Sequence, residues 1–358
     1  MTMELPSHAS AMTTMSDTHA GHVARAGTET IPAAVEIGLS AAIITVRNDE
    51  PAVLTVRGTP DPRMPKDVRL PSPSLPFGPF TPRDHRTLDA GLRSWVHEQT
   101  GLGLNYVEQL YTFADRGRHD ASGPHVVSIG YVALVQPSEA EEDNITTSWR
   151  SWYDFFPWED WRSGKPEILT DTIEPLLLEW AARPHCDNGA GRSGSRMDRL
   201  HIAFGMDGGS WDEEKVLERF ELLYEAGLIE EAARDHREAA DDWTMRPPLG
   251  QSLRFDHRRI LATSIGRIRA KIKYRPVVFE LMPREFTLFE LQKTVEAILG
   301  PHLHKQNFRR LVESAGLVET TGEVRVKTGG RPARLYQFRQ KVLLERPAPG
   351  VRVNLSRN

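Results

Sequence analysis

A short stretch in the first third of the chain has the spacing of a metal-binding element but few of the groups that bind metal. Residues 93–102, RSWVHEQTGL, end a predicted helix and carry a single carboxylate, that of Glu98. Several glutamates on one helix can hold Mg²⁺, which activates water for attack on a pyrophosphate. Here Trp95, His97 and Gln99 stand among the candidate positions, and one carboxylate cannot supply the oxygen ligands that a hard cation needs. We therefore predict no metal site and no catalytic residue in this stretch.

A second group of candidate residues lies on a predicted helix that begins after His304. In KQNFRRLVESAG, apolar residues recur at helical spacing, so that Phe308 and Val312 belong to a buried stripe and Gly316 ends the helix. Amide side chains can pair with adenine, and guanidinium groups with guanine, in the major groove of DNA. The polar residues off the stripe are therefore predicted to contact DNA: Lys305, Gln306, Asn307, Arg309 and Arg310.

The segments on either side of this helix complete the pattern of a DNA-reading module. The preceding TLFELQKTVEAILG has a capping box at Thr287 and Glu290 and a stop at Gly300, and a short PHLH turn joins the two helices. After them, residues 317–339 predict two strands joined by a Gly-rich turn. Such a hairpin can act as a wing against phosphates or the minor groove. Its predicted DNA contacts are Lys327, Arg331 and Arg334.

The distribution of charge separates the two groups of candidate residues. Residues 1–250 hold 23 Lys and Arg against 40 Asp and Glu, a net charge of −17, whereas residues 251–346 hold 20 against 9, a net charge of +11. An acidic body joined to a compact basic module indicates a nucleic-acid partner. Charge by itself leaves open the alternative of a basic domain that docks on the acidic body.

The elements that must position these residues predict an α+β protein with two folded parts. The division of the 358-residue chain is predicted as a disordered segment 1–34, an acidic folded domain 35–240, a linker 241–254, a winged-helix DNA-binding domain 255–346 and a tail 347–358. Apolar and β-branched runs predict a β-hairpin over 36–58 and strands at 106–113, 125–135 and 199–204. Apolar residues at helical spacing predict helices at 87–100 and 211–232.

An isoleucine-rich helix over residues 257–273 has two possible roles. Its apolar residues form one continuous stripe at helical spacing. The stripe is suited to pairing two copies of the chain, and equally to the core of a single copy.

Composition limits the class of protein. A single cysteine excludes an internal disulfide framework and a cysteine-rich zinc site. No apolar window approaches the length of a membrane span, and the N-terminus lacks the layout of a secretory signal. We expect a cytoplasmic protein.

Specific stretches of the chain resemble a known family. The segments DHRRILATSIGRIRAKIKY, LHKQNFRRLVESAGLVE and TGGRPARLYQF closely resemble the C-terminal winged helix of the Nudix-related bacterial regulators of NAD metabolism. YVEQLYTFADRGR and HVVSIGYVAL resemble their N-terminal domain, and WYDFFPWEDWR and LLERPAPGVR look like the NadQ type more than the shorter NrtR type. Over residues 40–350, the resemblance implies a Nudix-like α/β/α sandwich followed by a winged helix-turn-helix domain.

The same resemblance implies a function. It suggests a homodimeric repressor that binds a palindromic operator before NAD biosynthesis genes and senses an adenine nucleotide such as ADP-ribose, NAD or ATP, with no required cofactor. When Gly101 and Leu102 are set on the end of the Nudix pattern, Ser94, Trp95 and Gln99 replace its arginine and two of its glutamates. These departures suggest that the domain binds a nucleotide without hydrolysing it.

Candidate effector residues combine cations for phosphates with rings for adenine. They are Arg57, Phe80, Arg83, Glu98 and Tyr111. An active hydrolase of ADP-ribose or a related dinucleotide is the alternative function, and it rests on Glu98. A structural RNA-binding protein is a third hypothesis. It explains the basic charge of residues 251–346 but not the predicted wing.

Overall fold

The structure is a computed structural model of the chain, and it describes residues 35–57, 72–115, 125–137, 146–184, 195–326, 332–345 and 350–351. These residues belong to one compact unit that begins at Ala34. The predicted segment 1–34 and nearly all of the predicted tail lie outside the described residues.

A mixed sheet forms the centre of the body. Its strands are β1 (Val35–Arg47), β2 (Glu50–Val56), β3 (Phe77–Pro79), β4 (Tyr106–Phe113), β5 (His125–Leu134) and β6 (Thr147–Ser151). The order is β4-β5-β1-β2-β6, with β3 paired to β1. β1 and β5 run parallel, and the other pairs are antiparallel. The predicted hairpin is confirmed: Asn48 and Asp49, with φ of 51° and 61°, form the tight turn between β1 and β2.

Helices surround this sheet and continue beyond it. They are α1 (Leu88–Thr100), α2 (Glu174–Ala182), α3 (Arg196–Phe204), α4 (Val216–Glu225), α5 (Glu230–Arg234), α6 (Glu238–Asp241), α7 (His257–Tyr274), α8 (Leu288–Leu299), α9 (Lys305–Ser314) and α10 (Val342–Glu345). None of the described helices combines the length and apolar character that a membrane crossing needs.

The two faces of the sheet are covered by different helices. Successive side chains of a strand point to opposite faces, so Leu39 and Ile43 of β1 pack with Leu92 of α1, whereas Ala42 and Ile44 pack with the core that includes α7. The body is therefore the predicted α/β/α sandwich.

The isoleucine stripe of α7 belongs to the core of a single chain. The stripe residues are at most 3% exposed: Ile260, Leu261, Ile265, Ile268 and Ile272. Contacts with α4, β1 and β4 cover this stripe. Of the two roles left open by the sequence, the intramolecular one is correct. Helix α7 follows the predicted linker 241–254, yet it packs into the core of the body.

Two predicted elements of the body are wrong. Residues 199–204, predicted as a strand, lie in α3, because Ser195 and Asp198 form a capping box and Gly205 ends the helix in the left-handed conformation. The helix predicted over 211–232 is divided into α4 and α5, since Gly227 between them has a φ of 75°.

The basic module has the elements of a winged helix. α8 and α9 are followed by an antiparallel hairpin of β7 (Val318–Arg325) and β8 (Ala333–Phe338). Phe286 forms a further bridge with Tyr336 of β8, through hydrogen bonds of 3.0 and 2.8 Å between their backbones. The helix-turn-helix and wing predicted from the sequence are both confirmed.

Candidate nucleic-acid interface

The turn between α8 and α9 is held by two polar side chains of α8. Gln292 donates to the carbonyl of Leu303 at 2.8 Å, and the Leu303 N–H donates to the Glu296 carboxylate at 2.9 Å. Burial would raise the pKa of Glu296, but the hydrogen bonds from Leu303, Gln292 and His302 outweigh it and hold this pKa below its usual range. These contacts fix the angle at which α9 leaves the turn.

The start and end of α8 are as the sequence predicts. The Thr287 hydroxyl accepts from the Glu290 N–H at 3.1 Å, and the Glu290 carboxylate accepts from the Thr287 N–H at 2.8 Å. Gly300 ends the helix with a φ of 96°. Such reciprocal caps satisfy backbone donors that a helix otherwise leaves unpaired.

Helix α9 buries one side and exposes the other. Phe308 and Val312 are buried, as predicted. All five predicted DNA contacts on this helix are exposed: Lys305, Gln306, Asn307, Arg309 and Arg310. At 100° per residue, Gln306 and Arg310 lie near the middle of the exposed side, and Asn307 and Arg309 lie towards its margins. The exposed side of the helix therefore carries donors and cations that can reach base edges and phosphates.

The side chain of Arg309 on α9 makes an ion pair with a residue one turn further along the same helix. Its Nε donates to Glu313 at 2.9 Å, and this hydrogen bond, with a smaller contribution from Tyr336 of β8, raises the pKa of the guanidinium. The Arg309 side chain is 57% exposed. It can therefore reach a ligand beside the helix without leaving Glu313.

The wing is tied to the start of α8. Arg325 at the end of β7 donates to the Glu290 carboxylate at 2.8 Å and to the Glu285 carbonyl. Arg334 of β8 is exposed, whereas Lys327 and Arg331 lie outside the described residues.

Three residues that hold this interface together were not predicted from the sequence: Gln292, Glu296 and Arg325. A signal exists for the first two, since they are polar residues four positions apart on the face of α8 that is otherwise apolar. No local pattern indicates that Arg325 reaches Glu290, 35 residues earlier in the chain.

A buried ion-pair network joins the helix pair to the body. Glu159, Arg219 and Arg269 are at most 1% exposed. The Glu159 carboxylate accepts from Arg219 Nε and from Arg269 Nη1, each at 2.6 Å. Arg269 also donates from Nε to the carbonyl of Ile298, in the last turn of α8, at 3.0 Å. The network thus fixes the helix-turn-helix relative to the sheet.

The part of α1 that has the spacing of a metal-binding element makes contacts within the chain instead. Trp95 Nε1 donates to the Pro79 carbonyl at 2.8 Å, and its ring lies so close to Gly78 that an added Cβ would overlap it. Gln99 donates to the Phe77 carbonyl at 2.6 Å and accepts from the Phe77 N–H at 3.1 Å. The two side chains therefore hold β3 against α1. Among the described residues, no group of three or more His, Cys, Asp or Glu side chains is placed to hold a metal ion.

The predicted effector residues are not gathered on one face of the sheet. Arg57, Arg83 and Glu98 are exposed. Phe80 packs against the core on the α1 face, whereas Tyr111 makes an edge contact of 5.3 Å with Phe113, which belongs to the α7-face core. The assignment of these five residues to an effector site stays a prediction.

Comparison with known proteins agrees with the winged helix. The family model described as the NrtR DNA-binding winged helix domain matches residues 278–338. A curated relative, the ADPR responsive transcriptional repressor NtrR of Acinetobacter baylyi, is 40% identical over 103 residues, or 29% of this chain and 41% of the relative. The match thus spans less than half of that relative's length.

Solved structures resemble the chain more distantly. Shewanella oneidensis NrtR in complex with a 27mer DNA is 20% identical, with 86% of this chain and 94% of that chain covered and a TM-score of 0.49. A MutT/nudix family protein from Enterococcus faecalis is 16% identical, with 86% and 87% covered and a TM-score of 0.45.

The family match covers the same residues that form the helix pair and the wing. It begins in the short helical turn before Phe286 and ends with β8. Residues 278–338 are therefore similar in sequence to the NrtR DNA-binding winged helix domain, and the same residues form the helix pair and the wing.

Proposed function

We propose that this chain is a transcriptional regulator, acting as a repressor of NAD biosynthesis genes, that binds duplex DNA through α9 and the wing. The observation that carries the proposal is the exposed side of α9, with Lys305, Gln306, Asn307, Arg309 and Arg310, inside an NrtR-type winged helix. The net charge of +11 over residues 251–346 supports it, since phosphate neutralisation supplies much of the affinity for DNA. Such a repressor acts in the cytoplasm, where a bacterial chromosome lies.

The protein is proposed to bind a palindromic operator as a homodimer. A twofold-symmetric protein places its two reading helices in successive major grooves, about 34 Å apart, and so favours a site with the same symmetry. Because the stripe of α7 is buried within one chain, the dimer contact must use another surface.

The sheet domain is proposed to sense an adenine nucleotide. ADP-ribose is the first candidate, because the relative from Acinetobacter baylyi is named as ADPR responsive; NAD and ATP are the others. The candidate contacts remain Arg57, Phe80, Arg83, Glu98 and Tyr111. An effector changes DNA binding only if it binds one arrangement of the two reading heads better than the other.

The sensing domain is proposed to bind the nucleotide without hydrolysing it. Trp95 and Gln99 make backbone contacts at positions where a working Nudix enzyme would need carboxylates. Incubation with ADP-ribose and Mg²⁺ or Mn²⁺ is expected to release no AMP above a buffer control. Robust release that Glu98→Gln abolishes would instead establish the hydrolase.

A gel shift tests the regulator directly. The full chain is mixed with duplexes from its own upstream region and from NAD-gene promoters, with ADP-ribose, NAD, ATP or nicotinate mononucleotide added in turn. We expect a specific complex whose affinity changes with one adenine nucleotide. Binding that is no tighter than to an unrelated duplex would contradict the proposal, and tighter binding to single-stranded RNA would favour an RNA-binding protein.

Alanine variants of the proposed interface should weaken operator binding in two distinguishable ways. Asn307→Ala and Arg309→Ala are each expected to cost roughly 1–3 kcal/mol and to relax preference at one base pair, because each removes a base contact. Lys327→Ala should weaken binding to every duplex and reduce the slope of log K against log salt by about one. Arg237→Ala, which removes an exposed cation outside residues 251–346, is the matched control. If the interface variants all bind like Arg237→Ala, α9 is not the reading helix.

A further inference from the structure

The reading side of α9 contains an acidic side chain that phosphate binding does not explain. At 100° per residue, Glu313 falls between Arg309 and Gln306 when the helix is viewed along its axis, about 20° from Gln306 on the exposed side. Its side chain is 43% exposed. A carboxylate on a surface that approaches DNA is repelled by phosphates, so its presence there weakens binding to any sequence. We therefore expect Glu313 to have a role that compensates for this loss of DNA affinity.

Glu313 contacts one of the proposed base-reading residues. Its Oε1 accepts from Arg309 Nε at 2.9 Å, across one turn of the helix. Exposed ion pairs at this spacing add little to helix stability. The contact instead restricts the orientation of a long and otherwise mobile side chain.

The choice of nitrogen matters for recognition. Because the carboxylate takes Nε, the terminal nitrogens Nη1 and Nη2 are the pair that can donate to O6 and N7 of guanine. A guanidinium that is already oriented loses less conformational freedom when it binds. The Glu313 contact therefore prepares Arg309 for a two-point contact with one base.

We propose that Glu313 is a positioning residue, which sets the base preference at one operator position by orienting Arg309. The inference rests on the proposed function, since it needs α9 to read DNA. Glu313 acts twice: it sharpens the preference of Arg309 for guanine, and its charge reduces affinity for duplexes that offer no matching base. Both effects raise the ratio of specific to non-specific binding.

Selection from a library of randomised duplexes tests the proposal with the full-length protein. We expect Glu313→Ala to lose roughly tenfold in preference at one base pair and to bind random duplex more tightly than wild type. Glu313→Gln keeps an oxygen that can accept from Nε, so it should retain the base preference and gain only the non-specific affinity. Glu238→Ala removes an exposed charge on α6 and should change neither property. Unfolding curves of all variants report whether the fold is intact.

A double variant separates positioning from direct contact. If Glu313 acts through Arg309, Arg309→Ala combined with Glu313→Ala should show the base preference of Arg309→Ala alone. Equal base preferences for wild type, Glu313→Ala and Glu313→Gln would overturn the inference, as would a new preferred base in Glu313→Gln, which indicates that Glu313 itself reads a base. If the wild type enriches no sequence, the proposed function fails first and the inference with it.

Discussion

Replacement of Glu159 by alanine is expected to destabilise the protein by about 3–5 kcal/mol, the range for breaking a buried ion pair by removing one partner. Glu159, Arg219 and Arg269 are almost completely shielded from solvent. Without the carboxylate, two guanidinium groups stay buried with no negative charge to compensate them. Urea unfolding followed by circular dichroism measures the loss.

The physical reason for this large effect is that Glu159 joins several elements at once. Arg219 of α4 also donates to the carbonyls of Ala203 and Asp212, at 2.8 and 2.9 Å, and Arg269 of α7 also donates to Ile298 of α8. Loss of Glu159 should therefore loosen the attachment of the winged helix as well as the body. Glu167→Ala, an exposed glutamate of the same region, is the control and should lie within about 0.5 kcal/mol of wild type. A loss of less than 1 kcal/mol in Glu159→Ala would contradict the assigned role.

The same network predicts the direction of acid unfolding. Burial alone would raise the pKa of the Glu159 carboxyl, but Arg219 and Arg269 outweigh it and hold the pKa below its usual range. A carboxyl with a lowered folded-state pKa contributes stability above its unfolded pKa, about 4.3, and loses it as pH falls through the folded value. Unfolding free energies measured at successive pH values should fall less steeply on acidification in Glu159→Gln than in wild type.

Replacement of Phe308 by alanine is expected to cost about 3–5 kcal/mol and to abolish specific DNA binding. Phe308 is 3% exposed and is the largest side chain that α9 buries. Apart from the half-buried Leu311, the rest of α9 is polar, so its position depends mainly on Phe308, Leu311 and Val312. Once the aromatic ring is lost, the helix can no longer hold Gln306 and Arg310 in one orientation.

Two measurements separate this local effect from general unfolding. Hydrogen exchange should accelerate most in α9, and gel shifts should show loss of the specific complex while the body of the protein stays folded. Phe308→Leu preserves much of the buried volume and should retain most of the affinity. If Phe308→Ala lowers stability but binds the operator like wild type, another surface reads the DNA.

The winged helix was predictable because its determinants are local. Thr287 and Glu290 cap α8 from within one turn, Gly300 ends it, and the spacing from Phe308 to Val312 defines the buried side of α9. Local rules apply wherever partners are three or four residues apart. Contacts across long separations have no such signature, which is why the link from Arg325 to Glu290 was not foreseen.

The body was predicted less completely because its partners are distant in sequence. The apolar spacing of Ile260 and Ile265 established that α7 buries one side, but only the folded chain shows that the sheet and α4 cover it. The missing carboxylates at Trp95 and Gln99 were visible in the sequence. Both side chains hold β3 through hydrogen bonds with its backbone groups. These groups lie 16 and 22 positions earlier in the chain, so local spacing could not predict the contacts.

The sequence alone determined which side of α7 and of α9 is apolar, where α8 begins and ends, and that the basic charge is concentrated after residue 250. These properties follow from residue types at fixed short spacings. Only the tertiary structure decided which partner covers each apolar side, that Phe80 packs on the α1 face whereas Tyr111 contacts Phe113 of the α7-face core, and that Glu159 finds two arginines 60 and 110 residues away. The reason is that burial and ion pairing are properties of the packed chain, since they depend on every group that displaces water from a site.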